Sequence, residues 1–286
     1  MTRMNESRTD ATRETRAYET PVPRIPLSEV DGLERLERAG VPVIITGVQE
    51  GWPAMERWTL DHLRRTVGSR RVRVEFYPTG SFFDPEINVE MRFAAYLDLI
   101  TAAEPEQCYV SQVPLPEVFP ELLPDIEVPA LLHSAPNLGA AFFLGRDTVT
   151  GLHYHSANQA LQCMVDGRKD VTLFPPEDHR LLRYEPWYSY RFNFSRIAFD
   201  RELRHEHAHP WRCEVRAGEA LFIPLYWGHL VRSPGYSTAV TFFWEPLVTG
   251  WSHPRLKLLS MAGNLTRDLV TVPARGLLER TVGLPG

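Results

Sequence analysis

His153 and His155 stand two residues apart in "TVTGLHYHSA", and His229 follows in "AGEALFIPLYWGHLVRS". Residues i and i+2 of a strand project from the same face, so both imidazoles of the pair point inward toward one ion while Tyr154 points out. The pair alone is a weak signal, because a histidine in such a chain is more often a satisfied core residue. His229 supplies the third point. Set far along the chain, it can face the pair across a closed double sheet, giving a facial set of three ligands with open positions opposite, as an oxygen-activating iron requires. Neutral imidazole suits iron, zinc, copper and nickel alike, so the residue types leave the metal open.

The remaining histidines read differently. "HEHAHP" alternates His205, His207 and His209, yet no apolar scaffold flanks the run to fix a geometry, and no metal is expected there. His62, His133, His179 and His253 are isolated and read as surface or capping residues.

The elements that must position the triad follow from patterning. From about Gly139 to Pro246 the chain shows short strands separated by Gly and Asp turns: "AAFFLG", "GLHYHS", "ALQCMVDGRKDVTLFPP", "CEVRAGEALFIP" and "STAVTFFWEP". This pattern predicts a mainly β fold, a barrel or double-sheet jelly roll over residues 136–247. Upstream, residues 21–135 read as helical and strand additions packed on that core. "LSEVDGLERLERAG" has helical spacing with a stop at Gly40, "VPVIITGV" is a strand, "TLDHLRRTVGS" is a helix capped by Thr59, "RRVRVEFY" alternates as a strand, and "MRFAAYLDLI" is a helix. The prolines of "PLPEVFPELLPDIEVP" forbid one continuous helix and predict short turns. Residues 248–286 return to helical spacing, and the polar residues 1–20 read as a disordered tail.

At 286 residues the chain can bury a full core. Its 31 Lys+Arg against 36 Asp+Glu give a formal charge of −5, which supplies no general field for nucleic acid or an anionic membrane surface but leaves room for a local basic pocket. The three cysteines, Cys108, Cys163 and Cys213, are widely and irregularly spaced, which argues against a disulfide framework and for a reducing compartment, with the cytoplasm expected. No apolar run is long enough for a membrane span.

The runs "FFLGRDTVTGLHYHSANQALQCMVDGRKDVTLFPP", "VRAGEALFIPLYWGHLVRS" and "STAVTFFWEP" resemble the JmjC-type, cupin-like oxygenases that use Fe(II) and 2-oxoglutarate, and within them the asparaginyl hydroxylases in layout. The likeness extends upstream through "VPVIITGVQEGWPAMERWTLDHLRRTVG" and "CYVSQVPLPEVFPELLPDI". It implies a double-stranded β-helix core with N-terminal α/β additions and C-terminal helices. It also implies hydroxylation of a C–H bond in a protein side chain, an amino acid or a small molecule, with O2 and 2-oxoglutarate consumed.

Residue by residue, the resemblance places iron ligands at His153 and His229 and the cosubstrate's distal carboxylate on Lys169, Thr150 and Tyr109. Substrate-facing positions fall on Tyr190, Arg191, Asn193 and Phe194 in "YEPWYSYRFNFSRIAFDRE". The acidic net charge disfavours tRNA. The leucines of "RLKLLSMAGNLTRDLV" imply a homodimer through C-terminal helices, and a helix folded back on its own barrel is the other reading. Three features depart from the family pattern. His155 stands where an aspartate is usual, Phe242 and Phe243 stand near a missing asparagine, and the spacing from His153 to Lys169 is about one residue longer than the family pattern. These leave several readings open: an oxoglutarate oxygenase with three histidines, a cosubstrate-free three-histidine dioxygenase, or a catalytically silent binding module. His155 turning away, so that two histidines alone bind, is a further one.

Overall fold

Two strands of unusual length organise the molecule, as seen in a computed structural model that describes residues 20–77, 87–197, 208–248 and 250–271. The first nineteen residues, with most of the expected tail, lie outside the described residues, as do His205 and His207. In chain order the strands are β1 (Thr20–Pro21), β2 (Arg24–Pro26), β3 (Val43–Thr46), β4 (Arg71–Phe76), β5 (Ile87–Arg92), β6 (Cys108–Pro114), β7 (Gly139–Tyr154), β8 (Gln159–Asp166), β9 (Arg168–Phe174), β10 (Trp211–Arg216), β11 (Glu219–Ile223) and β12 (Gly228–Trp244). The helices are α1 (Leu33–Ala39), α2 (Ala54–Arg57), α3 (Leu60–Val67), α4 (Phe93–Thr101), α5 (Leu115–Val118) and α6 (Pro254–Thr266). A π-helical turn, Arg267–Thr271, extends α6.

β7 and β12 run antiparallel, and each serves two sheets. The first half of β7 and the last half of β12 sit in a large sheet of order β2-β3-β11-β8-β12-β7-β6-β4-β5. Their other halves complete a smaller sheet, in which Gly228–Arg232 of β12 pairs with β9, β9 with β10, and β10 with β1. The β7–β12 register slips between His229 and Val231 and again between Ser233 and Tyr236. Opposite the second slip, Asp147 takes φ 52°, and its side chain accepts the Gly235 N–H. Bulges raise local twist, which lets one strand bend from sheet to sheet. "AAFFLG" and "GLHYHS" are therefore one strand rather than two, its alternation broken where it bends.

Most local expectations hold. Gly40 ends α1 in the left-handed region at φ 61°, and the Thr59 hydroxyl accepts the His62 N–H to cap α3. The proline-rich segment forms only α5 and a 3-10 turn, Pro120–Asp125. Met91 and Arg92 end β5 instead of opening α4.

Alternation decides which core each side chain joins. Phe142, Leu144, Leu161, Val240 and Phe242 pack outward beneath the helices, together with Leu63, Val67, Phe93 and Leu97. Ala141, Phe143, Ala160, Met164 and Ala239 face inward between the sheets, with Val171, Leu173 and Val215 from the smaller one. The centre of the large sheet is thus buried on both faces, and the space between the sheets is left for the pocket. Glu37 of α1 is fully buried, where an unsatisfied carboxylate would be costly; it accepts from Trp244 Nε1 at 2.9 Å and from the Leu247 and Val248 N–H groups. That clamp pins the end of β12. Among the described residues no helix is long and apolar enough to cross a membrane.

Candidate active site

The inward face at the bend carries the three histidines. His153 on β7 lies directly opposite His229 on β12, and His155 follows just past the end of β7. Candidate ligand atoms of all three lie within 4.8 Å of one another. The ring centroids are 4.1 Å apart for His153–His229 and 4.6 Å for His155–His229. His155 therefore does not turn away.

Two of the rings are held in a defined tautomer. His153 Nδ1 lies 3.0 Å from the Gly151 carbonyl and His229 Nδ1 lies 3.0 Å from the Trp227 carbonyl, so each Nδ1–H donates to the backbone two residues earlier. That leaves Nε2 with its lone pair free for a metal. His155 Nδ1 is buried without any hydrogen-bond partner. An orphaned buried nitrogen beside two lone-pair nitrogens fits a divalent cation, the missing partner that would satisfy all three. Burial lowers the His153 pKa to about 4, and burial together with the neighbouring His153 lowers His155 to about 3. His229 is also held well below the usual range, chiefly by burial. All three are thus neutral, as metal ligands must be.

Packing fixes the ligand strand from its other edge. The segment at Asn193–Ser195 docks along β7, with Tyr154 N–H donating to the Asn193 carbonyl, Asn193 Nδ2 donating to the Tyr154 carbonyl, and Ser195 N–H donating to the Leu152 carbonyl. This stacks Phe194 on His153, centroids 5.0 Å apart and 14° from parallel, with the Arg191 guanidinium 4.5 Å over the other ring. Gly228 makes room for the Tyr184 hydroxyl, which a Cβ there would meet at 2.3 Å. Tyr154 does leave the histidine face, as expected, but it does not reach solvent. It is buried with Phe192, Tyr226 and Leu256 beneath α6.

A cavity of about 750 Å³ joins this cluster to a second polar group. At that end Lys169 is fully enclosed on β9, its Nζ donating to the Tyr109 hydroxyl at 3.4 Å and lying 5.3 Å over the Phe143 ring. Burial drops the Lys169 pKa to about 7 and pushes the Tyr109 phenol up. The hairpin before Lys169 is irregular. β8 bulges between Met164 and Asp166, and Gly167 turns at φ 71°, where a Cβ would strike the Tyr236 carbonyl oxygen at 2.1 Å. Lys169 then faces inward, beside Val171, with Arg168 outward. Thr150, Tyr190, Arg191, Asn193 and Phe194 line the same cavity.

Phe243 faces His155 at 5.5 Å, and Phe242 packs on the outer core. Neither phenylalanine replaces the family's missing asparagine, as expected, and two groups that sequence reasoning missed lie one pleat deeper. Gln162 Oε1 and Thr241 Oγ1, on paired residues of β8 and β12, are buried in the cavity wall without partners. Their signal was a polar residue in the inward register of a fully buried strand.

The other described histidines stay apart from the cluster. His209 Nδ1 is 3.0 Å from Asp178 Oδ1. His179 is half-buried against Tyr154 and Tyr184 rather than on the surface. Cys108, Cys163 and Cys213 are all free thiols.

This fold and this pocket define a class: residues 31–250 match the cupin-like domain family, and the chain belongs to the JmjC-type, cupin-like oxygenases. It is 30% identical over 247 residues to the human bifunctional peptidase and (3S)-lysyl hydroxylase JMJD7, covering 71% of this chain and 77% of that protein. It is 24% identical over 248 residues to human tRNA wybutosine-synthesizing protein 5, covering 79% and 78%. To the lysine-specific demethylase JMJ31 of Arabidopsis thaliana it is 25% identical over 266 residues, covering 77% of this chain and 48% of that one.

Proposed function

We propose that this chain is an Fe(II)- and 2-oxoglutarate-dependent oxygenase that hydroxylates a C–H bond of a protein side chain, an amino acid or a small molecule. The carrying observation is a single cavity with three neutral, converging histidines at one end and a buried lysine bonded to a tyrosine at the other. His153, His155 and His229 hold the metal. Lys169, Tyr109 and Thr150 hold the distal carboxylate of 2-oxoglutarate, with Gln162 and Thr241 beside its path. When bound, iron and 2-oxoglutarate supply the oxidising power: one atom of O2 enters succinate as CO2 is lost, and the other enters the substrate C–H bond. The protein's own part is to orient the cosubstrate and exclude water from the cavity floor. The names of the relatives support hydroxylation-type chemistry without deciding the substrate.

One observation favours a second reading. With His155 in place of a carboxylate, the protein-bound site is one unit more positive than a two-histidine, one-carboxylate site, which suits a cosubstrate-free dioxygenase or a silent module. Anaerobic reconstitution with Fe(II) and 2-oxoglutarate separates these readings. A visible charge-transfer band, followed by succinate formation on adding O2, is expected for the natural protein. A band that forms only in His155→Asp would remove the proposal in favour of the second reading.

A homodimer through α6 is part of this proposal. Leu258, Met261, Leu265 and Leu269 are all more than half exposed along α6 and its extension, a larger apolar face than a terminal helix needs. Sedimentation at micromolar concentration is expected to give twice the chain mass, and a monomer would remove the dimer.

A further inference from the structure

The cavity's outer wall is charged in a way the histidine and lysine ends do not require. β4 extends the large sheet past β6, and its alternate residues Arg71, Arg73 and Glu75 face the cavity while Val72 and Val74 join the core. Glu90 of β5 and, from the opposite rim, Arg191 and Arg267 complete the ring. Among the described lining residues, Arg71, Arg73, Arg191 and Arg267 face Glu75 and Glu90, with Arg267 also held by Asp268 at 3.0 Å.

Both glutamates are already engaged. Glu90 lies directly across from Arg73 in the β4–β5 ladder but bonds Arg71 at 3.3 Å instead. Glu75 accepts from the Ser111 and Tyr77 hydroxyls. Arg73 is exposed and has no acidic partner among the described residues. On the other rim, the Arg191 guanidinium lies 4.5 Å over the Phe194 ring, which in turn stacks on His153. Among the described residues no carboxylate stands within the three-histidine cluster.

We infer that the pocket takes a carboxylate-bearing primary substrate, with Arg73 as a specificity-determining contact and Arg191 supporting it from the opposite rim. This rests on the functional reading above. An arginine fork matches a carboxylate with two parallel hydrogen bonds, and in a partly enclosed cavity the pairing is less screened than on open surface. A cationic lysine side chain entering the same opening meets like charge. A long polyanion such as RNA must also cover the acidic surface beyond the pocket, whereas a single carboxylate feels only the charges within about 10 Å.

The test measures binding, not turnover. With Mn(II) in place of iron, the 2-oxoglutarate-loaded chain is titrated with capped Gly-X-Gly peptides, X being Glu, Gln or Lys, and with free glutamate. Relaxation enhancement of the probe protons by manganese reports binding beside the metal. The glutamyl peptide is expected to bind at least about tenfold tighter than the lysyl one, with glutamine between, and the preference should shrink with salt. In Arg73→Gln the Glu-to-Lys ratio should approach one, a readout that a general loss of affinity would not move. Equal binding or a lysine preference in the natural protein would overturn the inference. So would a ratio unchanged in both Arg73→Gln and Arg191→Gln, or Arg73-dependent binding of single-stranded RNA alone. Free glutamate matching the peptide identifies an amino acid substrate, whereas peptide binding alone identifies a polypeptide; either fits a carboxylate site. Failure of 2-oxoglutarate to bind, measured first, would sink the proposed function, while the Glu-to-Lys ratio would still report on Arg73.

Discussion

His229→Ala is expected to yield a folded chain that retains no divalent metal after desalting, against one equivalent in the natural protein, as counted by elemental analysis. His229 and His153 form one directly opposed strand pair, each Nδ1–H donating to the carbonyl two residues earlier, with candidate ligand atoms within 4.8 Å of one another. Two remaining histidines cannot make the three-point set. Losing even a group that merely orients a ligand costs about 10- to 100-fold in metal affinity, so loss of the ligand itself should exceed that range. The fold should survive. Without metal the three neutral imidazoles gain little from one another, and the residue lies inside a strand held on both sides by β7 and β9. His155→Asp should retain metal and shift preference away from zinc and copper toward iron and manganese, because a carboxylate replaces the softer imidazole. Metal retained at full stoichiometry in His229→Ala would sink the assignment of that residue.

The histidine geometry was legible because it depends on two local rules. Strand alternation put His153 and His155 on one face, and the "ALFIP" strand before Trp227 and Gly228 brought a third histidine into a neighbouring strand. Lys169 was singled out by the family resemblance alone, since a lysine just after a Gly turn otherwise reads as solvated, and the bulge of β8 before it is announced by no propensity. What escaped depended on curvature and long-range closure. The alternation of "RRVRVEFY" marked a strand, but nothing near it in sequence shows that its Arg71, Arg73 and Glu75 line the pocket. Gln162 and Thr241 sit in apolar runs where a single polar residue looks like a weak strand position. Only the pairing of β8 with β12 shows both facing the cavity. Tyr154 was placed on the correct side of its strand, and the helix that buries it lies about a hundred residues on. In "HEHAHP", His209 turned to Asp178, an acid that nearby sequence does not suggest.

Lys169→Met is expected to raise the melting temperature of the metal-free, ligand-free protein at neutral pH and to abolish measurable 2-oxoglutarate binding. The lysine is fully buried, with one long hydrogen bond and no carboxylate beside it, and burial holds its pKa at about 7 against 10.5 for the free side chain. The sign follows from proton linkage. Below about pH 7 both folded and unfolded chains carry the proton, and the fold bears the whole cost of burying the charge. Between about 7 and 10.5 the unfolded chain binds more protons, so stability rises with pH by about 1.4 kcal/mol per unit; above that the cost is gone. Methionine fills similar volume without a charge, so the variant should lack this slope and gain up to a few kcal/mol at pH 7. 2-Oxoglutarate reverses the balance. Its carboxylate needs the protonated amine, so affinity in the natural protein should weaken as pH climbs above 7, while the variant shows no measurable binding at any pH. Thermal melts and binding titrations at pH 6, 7, 8 and 9 on both proteins give the two slopes together. A methionine variant less stable than the natural chain throughout would mean that Lys169 is held for structure. A stabilised variant that has lost the cosubstrate would mean that the fold carries a buried charge for the sake of its ligand.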